Sequence, residues 1–499
     1  MELRFPEYDL GLLAPMLILV ITGLVVLLAD TFGRRRASGD RSFLAYLSLL
    51  GLLLTFYANS RLSGVVAAPF HGLLAIDAVA VFFNYVFLAS SMLVVLMSIS
   101  YGARHSMNVG EYYGLILFST LGMMLMAAGG DLMTIFLGVE ILSLNLYVLA
   151  GFLRGQARSN EAAMKYFLLG AFATGFLLYG ISFLYGATGT TNLKAMGGFL
   201  KAAPAGNVSA LLYVGMGLLI VGFGFKVTAV PFHMYTPDVY EGAPTSITAF
   251  LSAGPKAAGF AALVRVFSFA LEGLHADWWG AFWLIAALTM TLGNILAIVQ
   301  ANIKRMLAYS SIAHAGYVLV ALVASGGVGG AQRLGVSSVL FYTLAYTFFN
   351  LGAFAVVVAM GRGDRDQVGL ADYAGLGYRR PWLALVMALF MVSLAGIPPT
   401  AGFVGKFVVF KSALNAGFVW LTIIAVLNSV VAVFYYLRVI VIMYMREPAA
   451  EMQAEAAGAS FSGSLVIALI LAVLGTLDLG LFPSRYLDLA LRSVQALLG

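Results

Sequence analysis

Four lysines, Lys165, Lys226, Lys256 and Lys406, and one carboxylate, Glu140, stand inside stretches built otherwise from Leu, Val, Phe, Gly and Ala. In such surroundings these residue types suit one chemistry well, the movement of protons. In water a lysine keeps its proton up to about pH 10.4, too high for release near neutrality. Burial and a neighbouring cation lower that value by several units, while a carboxylate restores it. A lysine whose partners change charge therefore alternates between holding a proton and releasing it.

Each residue also has a plainer reading. Lys226 lies beside a proline-interrupted stretch, where the competing role is a structural ion pair. Lys256, in SAGPKAAGF, sits among small residues that leave room for water, and Lys406 follows a double proline in GFVGKF. Glu140, in FLGVEILSLNLY, is the one acid that the apolar spans place deeply, and its alternative is a buried salt bridge that fixes packing. Lys165 falls only a turn or so into its span and is able to snorkel to the interface. His233 and His314 titrate near pH 6.5 and suit transfer between lysines, although a hydrogen-bonded structural histidine is the competing reading. Lys304 heads a span, where lysine commonly anchors topology.

The elements that hold these groups are apolar runs of membrane-crossing length. With 62% hydrophobic residues, 10% charged residues and a mean hydropathy of +0.96, the chain lacks the charge to coat a water-exposed surface, which takes about 25%. Runs of about 20 residues suffice to cross a bilayer. They are expected near 10–32, 42–60, 75–100, 112–129, 132–153, 161–186, 209–235, 245–270, 279–300, 304–324, 335–360, 382–411, 417–444 and 463–482. The expectation is an all-α integral membrane protein of about fourteen transmembrane helices forming a single membrane domain over 1–499. A charged group at the centre of a bilayer costs about 2.5–3.5 kcal/mol. Five such groups cost on the order of 15 kcal/mol, so they must face the bundle interior.

Charge distribution orients the bundle. Arg34, Arg35, Arg36, Arg41, Arg104, Arg154, Arg158, Lys304, Arg305, Arg362, Arg365, Arg379, Arg380 and Arg446 fall on one side. The other side has Arg4, Arg61, Lys194, Lys201, Arg333, Arg485 and Arg492. A ratio of about two to one places the first set in the cytoplasm and both termini outside. The first span reads as a retained helix, because it is too long for a signal peptide and lacks its flanks.

The composition also narrows the functions open to the chain. It has no cysteine, so iron–sulfur clusters, thiolate zinc sites and disulfides are not expected. His71, His105, His233, His275 and His314 form no HxxxH pair. No P-loop and no glycine-rich dinucleotide turn is present. The net charge of +6 follows largely from topology, and no nucleic-acid partner is implied. Met123, Met124 and Met126 read as packing residues, and GAFATG as a close helix contact.

Two spans read as interrupted, 209–235 by Pro231 and 382–411 by Pro398 and Pro399. Proline removes a backbone donor and clashes with the preceding turn, and lipid offers the freed carbonyls no partner. Broken helices in matching places of two halves point to an ion site in a repeat-built transporter. These two lie five spans apart, which predicts five-helix repeats over spans 4–8 and 9–13. A kink that serves packing alone is the alternative.

The stretches NEAAMKYFLLGAFATGFLLYG, GFGFKVTAVPFHMYTPDVYEGAPTSITAFLSAGPKAAGF, NIKRMLAYSSIAHAGY and SLAGIPPTAGFVGKF closely resemble the antiporter-like membrane subunits of proton-translocating NADH–quinone oxidoreductase (bacterial respiratory complex I), subunit-N type. The resemblance runs over essentially the whole chain. It implies two inverted five-helix repeats, with three N-terminal helices at 10–110, repeats at 111–275 and 276–446, and a C-terminal helix and tail at 447–499. It further implies a Glu140–Lys226 charge pair, a bridging Lys256 and a terminal Lys406, with Lys165, His233 and His314 on the same polar axis. The subunit-M type has glutamate where Lys406 stands, and the subunit-L type has a long lateral C-terminal helix, whereas this chain ends soon after span 14.

Such a subunit moves protons in the bacterial inner membrane beside the other membrane subunits of complex I. It carries no cofactor of its own, and FMN, iron–sulfur clusters, NADH and quinone belong to partner subunits. The other readings are a subunit of a multi-chain cation/proton antiporter and a purely structural membrane anchor.

Overall fold

The computed structural model describes residues 10–33, 41–202, 209–326, 330–363, 365–447 and 462–498. Arg4, residues 34–36 and most of the 446–462 connection lie outside them, and so does the amino terminus. Among the described residues the regular structure is helical, with only isolated β-bridges between loops.

The helices are α1 (Leu10–Gly33), α2 (Phe43–Ser60), α3 (Ala78–His105), α4 (Gly110–Ala128), α5 (Leu132–Ala150), α6 (Ala157–Thr188), α7 (Ala210–Lys226) and α8 (Thr245–Leu263, continued as a π-turn to Ala270). They are followed by α9 (His275–Ile298), α10 (Ile303–Ala324), α11 (Gly330–Met360), α12 (Pro381–Ala395), α13 (Ala401–Asn415), α14 (Val419–Met445), α15 (Gly463–Leu481) and α16 (Pro483–Leu498). Twelve of the described helices are long and apolar enough to cross a membrane, and two shorter apolar helices are α7 and α12. Those two are the segments read as interrupted. The 209–235 stretch is helical only to Lys226, and 382–411 is two helices separated at residues 396–400. Further helices escape a hydropathy reading, among them Leu193–Ala202, inside the connection read at 186–208, the short Thr236–Gly242, and α16 beyond the last apolar run. A helix that lies along a surface alternates polar and apolar residues and forms no apolar run.

Helix α8 is the axis of the bundle. Every residue from Thr245 to Leu263 is buried, and α3, α4, α5, α7, α10 and α11 all pack on it. Helices α1, α2, α6 and α14 lie outside and turn Leu, Ile, Val and Phe side chains outward, as lipid contact requires. Small residues set the closest crossings. A Cβ on Gly138 of α5 would stand 2.9 Å from the Gly122 carbonyl of α4, and one on Gly293 of α9 would stand 2.8 Å from the Ala313 nitrogen of α10. Caps fix where two of the inner helices begin. Asp131 accepts from Met133 N at 2.8 Å ahead of α5, and Asn302 accepts from Lys304 N at 2.8 Å ahead of α10, in the manner of side-chain N-caps.

One end of the bundle is rich in arginine. There Arg104 donates to the Val358 carbonyl at 2.8 Å, Arg305 meets Asp238 at 2.7 Å, and Arg438 donates to the Ile298 carbonyl at 2.6 Å.

Candidate functional site

Helix α7 stops at Lys226 because the chain turns out of helical geometry at once: Thr228 takes a φ of +61° and Pro231 follows. The groups freed by the break find protein partners. The Tyr235 hydroxyl donates to the Phe225 carbonyl at 3.0 Å, and Val230 N donates to the Thr289 hydroxyl of α9 at 2.9 Å. This leaves the Lys226 ammonium at the negative end of a helix. It donates to the Ser143 hydroxyl of α5. Glu140 lies one turn before Ser143, half-buried, with Oε1 enclosed and without a hydrogen-bond partner. Among the described residues Glu140 and Lys226 form no direct ion pair; the carboxylate acts on the ammonium through space.

From Lys226 the polar groups continue inward. A cavity of about 10 Å³ lies between Lys226 and Lys256 and is walled by Tyr166, Tyr235 and Tyr240. Lys256, mid-helix in α8 and 5% exposed, sits 5.7 Å from the Tyr240 ring centroid and donates to the Ser311 hydroxyl of α10. A second cavity, about 20 Å³, is bounded by Lys256, Ser311, His314, Thr343 and Tyr346. That is room on the scale of a water molecule. His314, on the same face of α10 as Ser311, has a tyrosine hydroxyl at each ring nitrogen: Tyr342 at 2.7 Å from Nδ1 and Tyr436 at 3.1 Å from Nε2.

Lys406 closes the row. Gly396, with φ of +85°, ends α12 and leaves its last carbonyls without helical partners. The ammonium accepts that role, donating to Ala395 O at 2.8 Å, Leu394 O at 3.2 Å and the Ser429 hydroxyl at 2.9 Å, with the Tyr317 ring centroid 5.0 Å away. Each helix break thus has a buried lysine beside it, and at the second the ammonium takes the freed carbonyls.

The other expected residues lie elsewhere. Lys165 is 40% exposed and pairs with Asp238 at 2.6 Å and Glu161 at 2.7 Å. It belongs to a charged cluster at the arginine-rich end with Arg305 and Glu241. Burial pushes the Asp238 carboxyl up, but Lys165 and Arg305 outweigh it and hold the group below its ordinary range. His233 lies half-buried in the turns after α7, its Nδ1 enclosed without a partner, and makes no side-chain hydrogen bond to a lysine among the described residues. Lys304 is buried and donates to the Ala243 carbonyl at 2.7 Å.

Burial also reaches charged groups that the apolar runs do not single out. Asp30 and Asp77, at the ends of their spans, are each 2% exposed. Arg265, inside the 245–270 span, is 4% exposed and pairs with Asp77. Helix periodicity marks neither case, because these residues sit near helix ends where their partners come from other segments. The hydroxyls of Ser143, Ser311, Ser429, Tyr342 and Tyr436 were likewise unmarked. Only the three-residue spacing of Ser143 from Glu140 and of His314 from Ser311 hints at shared faces.

The NADH:quinone oxidoreductase/Mrp antiporter transmembrane family matches residues 128–432. The chain is similar to the NADH-quinone oxidoreductase subunit N of Trichlorobacter lovleyi, with 49% identity covering 98% of each chain. It superposes on a chain of respiratory complex I from Thermus thermophilus with a TM-score of 0.77 and 33% identity, over 96% of this chain and 99% of the other. A chain of the Mrp complex from Dietzia shares the fold, with a TM-score of 0.82 at 21% identity over 99% of this chain and 100% of the other.

Proposed function

The chain belongs to the NADH:quinone oxidoreductase/Mrp antiporter transmembrane family, and from that premise we propose that it is a proton-translocating membrane subunit of an NADH–quinone oxidoreductase. The observation that carries this reading is the buried row Lys226, Lys256, His314 and Lys406, with serine and tyrosine hydroxyls beside its members and two water-sized cavities along it. Lipid-facing residues have no use for such a row, and its cost in a bilayer demands a return. Near-full-length identity of 49% to a subunit N favours this activity over cation/proton antiport.

Glu140, one turn before the Ser143 that the Lys226 ammonium reaches, tunes Lys226 from α5, Lys256 passes protons between the halves, and Lys406 ends the relay. Lys165 and His233 serve the arginine-rich end of the first half, Lys165 through Asp238. The two halves are inverted repeats of five helices, spans 4–8 and 9–13. Their matching caps support this: Glu140 and Ser143 stand nine and twelve residues after Asp131, while Ser311 and His314 stand nine and twelve after Asn302. The arginine-rich end faces the cytoplasm and both termini face outward. FMN, iron–sulfur clusters, NADH and quinone are held by partner subunits, and this chain has no redox centre of its own.

The test is the assembled complex in liposomes with Lys256→Ala. Retained NADH oxidation with a water-soluble electron acceptor and loss of quinone-coupled pumping are expected. Undiminished pumping rejects the relay. Purification with membrane subunits that exchange sodium for protons and lack NADH oxidation assigns the chain to an antiporter instead.

A further inference from the structure

The proposed relay leaves one arrangement without a role. His314 is the only group of the row that meets two hydroxyls from two different helices, one at each ring nitrogen. Tyr342 comes from α11 and Tyr436 from α14, and all three side chains are buried. Tyr436 continues to the Ser310 hydroxyl at 2.5 Å, one turn before His314 on α10.

The two tyrosines lie toward different neighbours, Tyr436 toward the arginine-rich end and Tyr342 toward Lys406. Tyr436 stands two residues before Arg438, whose guanidinium reaches the Ile298 and Gln300 carbonyls at the arginine-rich end. Ser310 likewise lies toward the start of α10, where Lys304 and Arg305 are. The Tyr342 ring lies against Gly405, the neighbour of Lys406 on α13, and one turn further along α11 the Ser338 hydroxyl reaches the Val408 carbonyl at 3.2 Å.

We infer that Tyr342 and Tyr436 are the two gates of a proton switch centred on His314, one opening toward Lys406 and the other toward the arginine-rich end. This rests on the relay reading above and deepens it. The chemistry follows from the imidazole. A neutral ring has one N–H donor and one bare acceptor nitrogen, so it donates to one tyrosine oxygen and accepts from the other tyrosine O–H.

A proton arriving at the accepting side moves from that tyrosine's hydroxyl to the bare nitrogen, and the tyrosine oxygen is refilled by the incoming proton. The opposite N–H then gives its proton to the second tyrosine oxygen, whose own hydroxyl proton moves on. One proton enters and one leaves, every oxygen ends neutral, and the ring is left in the other tautomer. A second proton travelling the same way meets an N–H where the bare nitrogen was. Transfer stops until the hydroxyls and tautomer reset, and that prevents an open wire from one end to the other.

The experiment is Tyr436→Phe and Tyr342→Phe, singly and together, in the complete complex in liposomes. Phenylalanine keeps the ring packing and removes only the hydroxyl. Quinone-coupled pumping is expected to fall by on the order of tenfold or more in each single variant, as for loss of a positioned proton-transfer group. The double variant is expected to be no worse than either single one, because the gates act in series. NADH oxidation with a water-soluble acceptor stays unchanged. Placing fluorotyrosine, a more acidic phenol, at position 436 restores pumping with an altered pH profile, which a packing role would not produce. Wild-type pumping in both phenylalanine variants overturns the switch. If those variants pump normally while Lys256→Ala does not, the switch fails alone; if Lys256→Ala also pumps, the relay itself fails.

Discussion

Arg265 and Asp77 form an ion pair of 2.9 Å with both side chains almost wholly buried, joining the far end of α8 to the start of α3. Arg265 also donates to the Ala127 carbonyl, and Asp77 caps α3 by accepting from Ala80 N at 2.8 Å. Removing one partner strands a buried charge, which costs about 3–5 kcal/mol. Arg265→Leu is therefore expected to lower the thermal stability of the purified complex strongly, and Asp77→Asn combined with it to recover part of the loss. Thermal unfolding of the single and the double variant decides this; a single variant as stable as the wild type refutes the assignment.

Lys165 and Lys256 are expected to separate sharply. Lys165 is partly exposed and shares its charge with Asp238 and Glu161, so Lys165→Ala should change stability by no more than about 1 kcal/mol. Its effect on pumping should be partial, whereas Lys256→Ala abolishes pumping through this subunit. Initial rates of acidification in liposomes make the comparison, and equal losses in the two variants would contradict it.

Asp366 supplies a pH dependence whose sign is determined by its surroundings. Burial pushes its carboxyl up, but the nearby His105 ring, the charge of Lys304 and hydrogen bonds from Thr245 and Tyr101 bring it down to about 2. A carboxyl lowered by folding contributes stability that is complete above its unfolded value, near 3.9, and is lost as pH falls through its folded value. The contribution is on the order of 2 kcal/mol at neutral pH. Asp366→Asn should be less stable at pH 7 and should lose less between about pH 4 and pH 2 than the wild type does, as read from unfolding temperature against pH.

Gly402 lets the second broken helix fold back on itself. A Cβ there would fall 1.8 Å from the Ser393 carbonyl oxygen, whereas one on Gly175 of α6 would meet nothing within 4 Å. Gly402→Ala is expected to cost about 1–3 kcal/mol or more and to shift Lys406 from the Leu394 and Ala395 carbonyls, lowering pumping as well. Gly175→Ala should leave both unaltered. Equal behaviour of the two variants would show that the break tolerates displacement.

The membrane class, the positions of the long helices, both interruptions and the buried lysines were legible in the sequence. Each is a property of one segment: apolar length, a proline that removes a donor, or a charge set in an apolar run. The fate of Lys165 was not legible, because the side chain that removes it from the row, Asp238, lies 73 residues away. Nor was the pairing of Arg265, whose partner is 188 residues distant. The serine and tyrosine hydroxyls beside the lysines and His314 come from different helices, and local spacing says little of which group each will meet. Helix α16 and Leu193–Ala202 were missed because hydropathy registers only helices that lipid or core surrounds. Composition and local pattern therefore determined that this chain crosses a membrane and carries titratable groups within it. Which groups meet was decided only by tertiary packing, because a hydrogen bond acts over about 3 Å and its partners here are brought together from helices far apart in the chain.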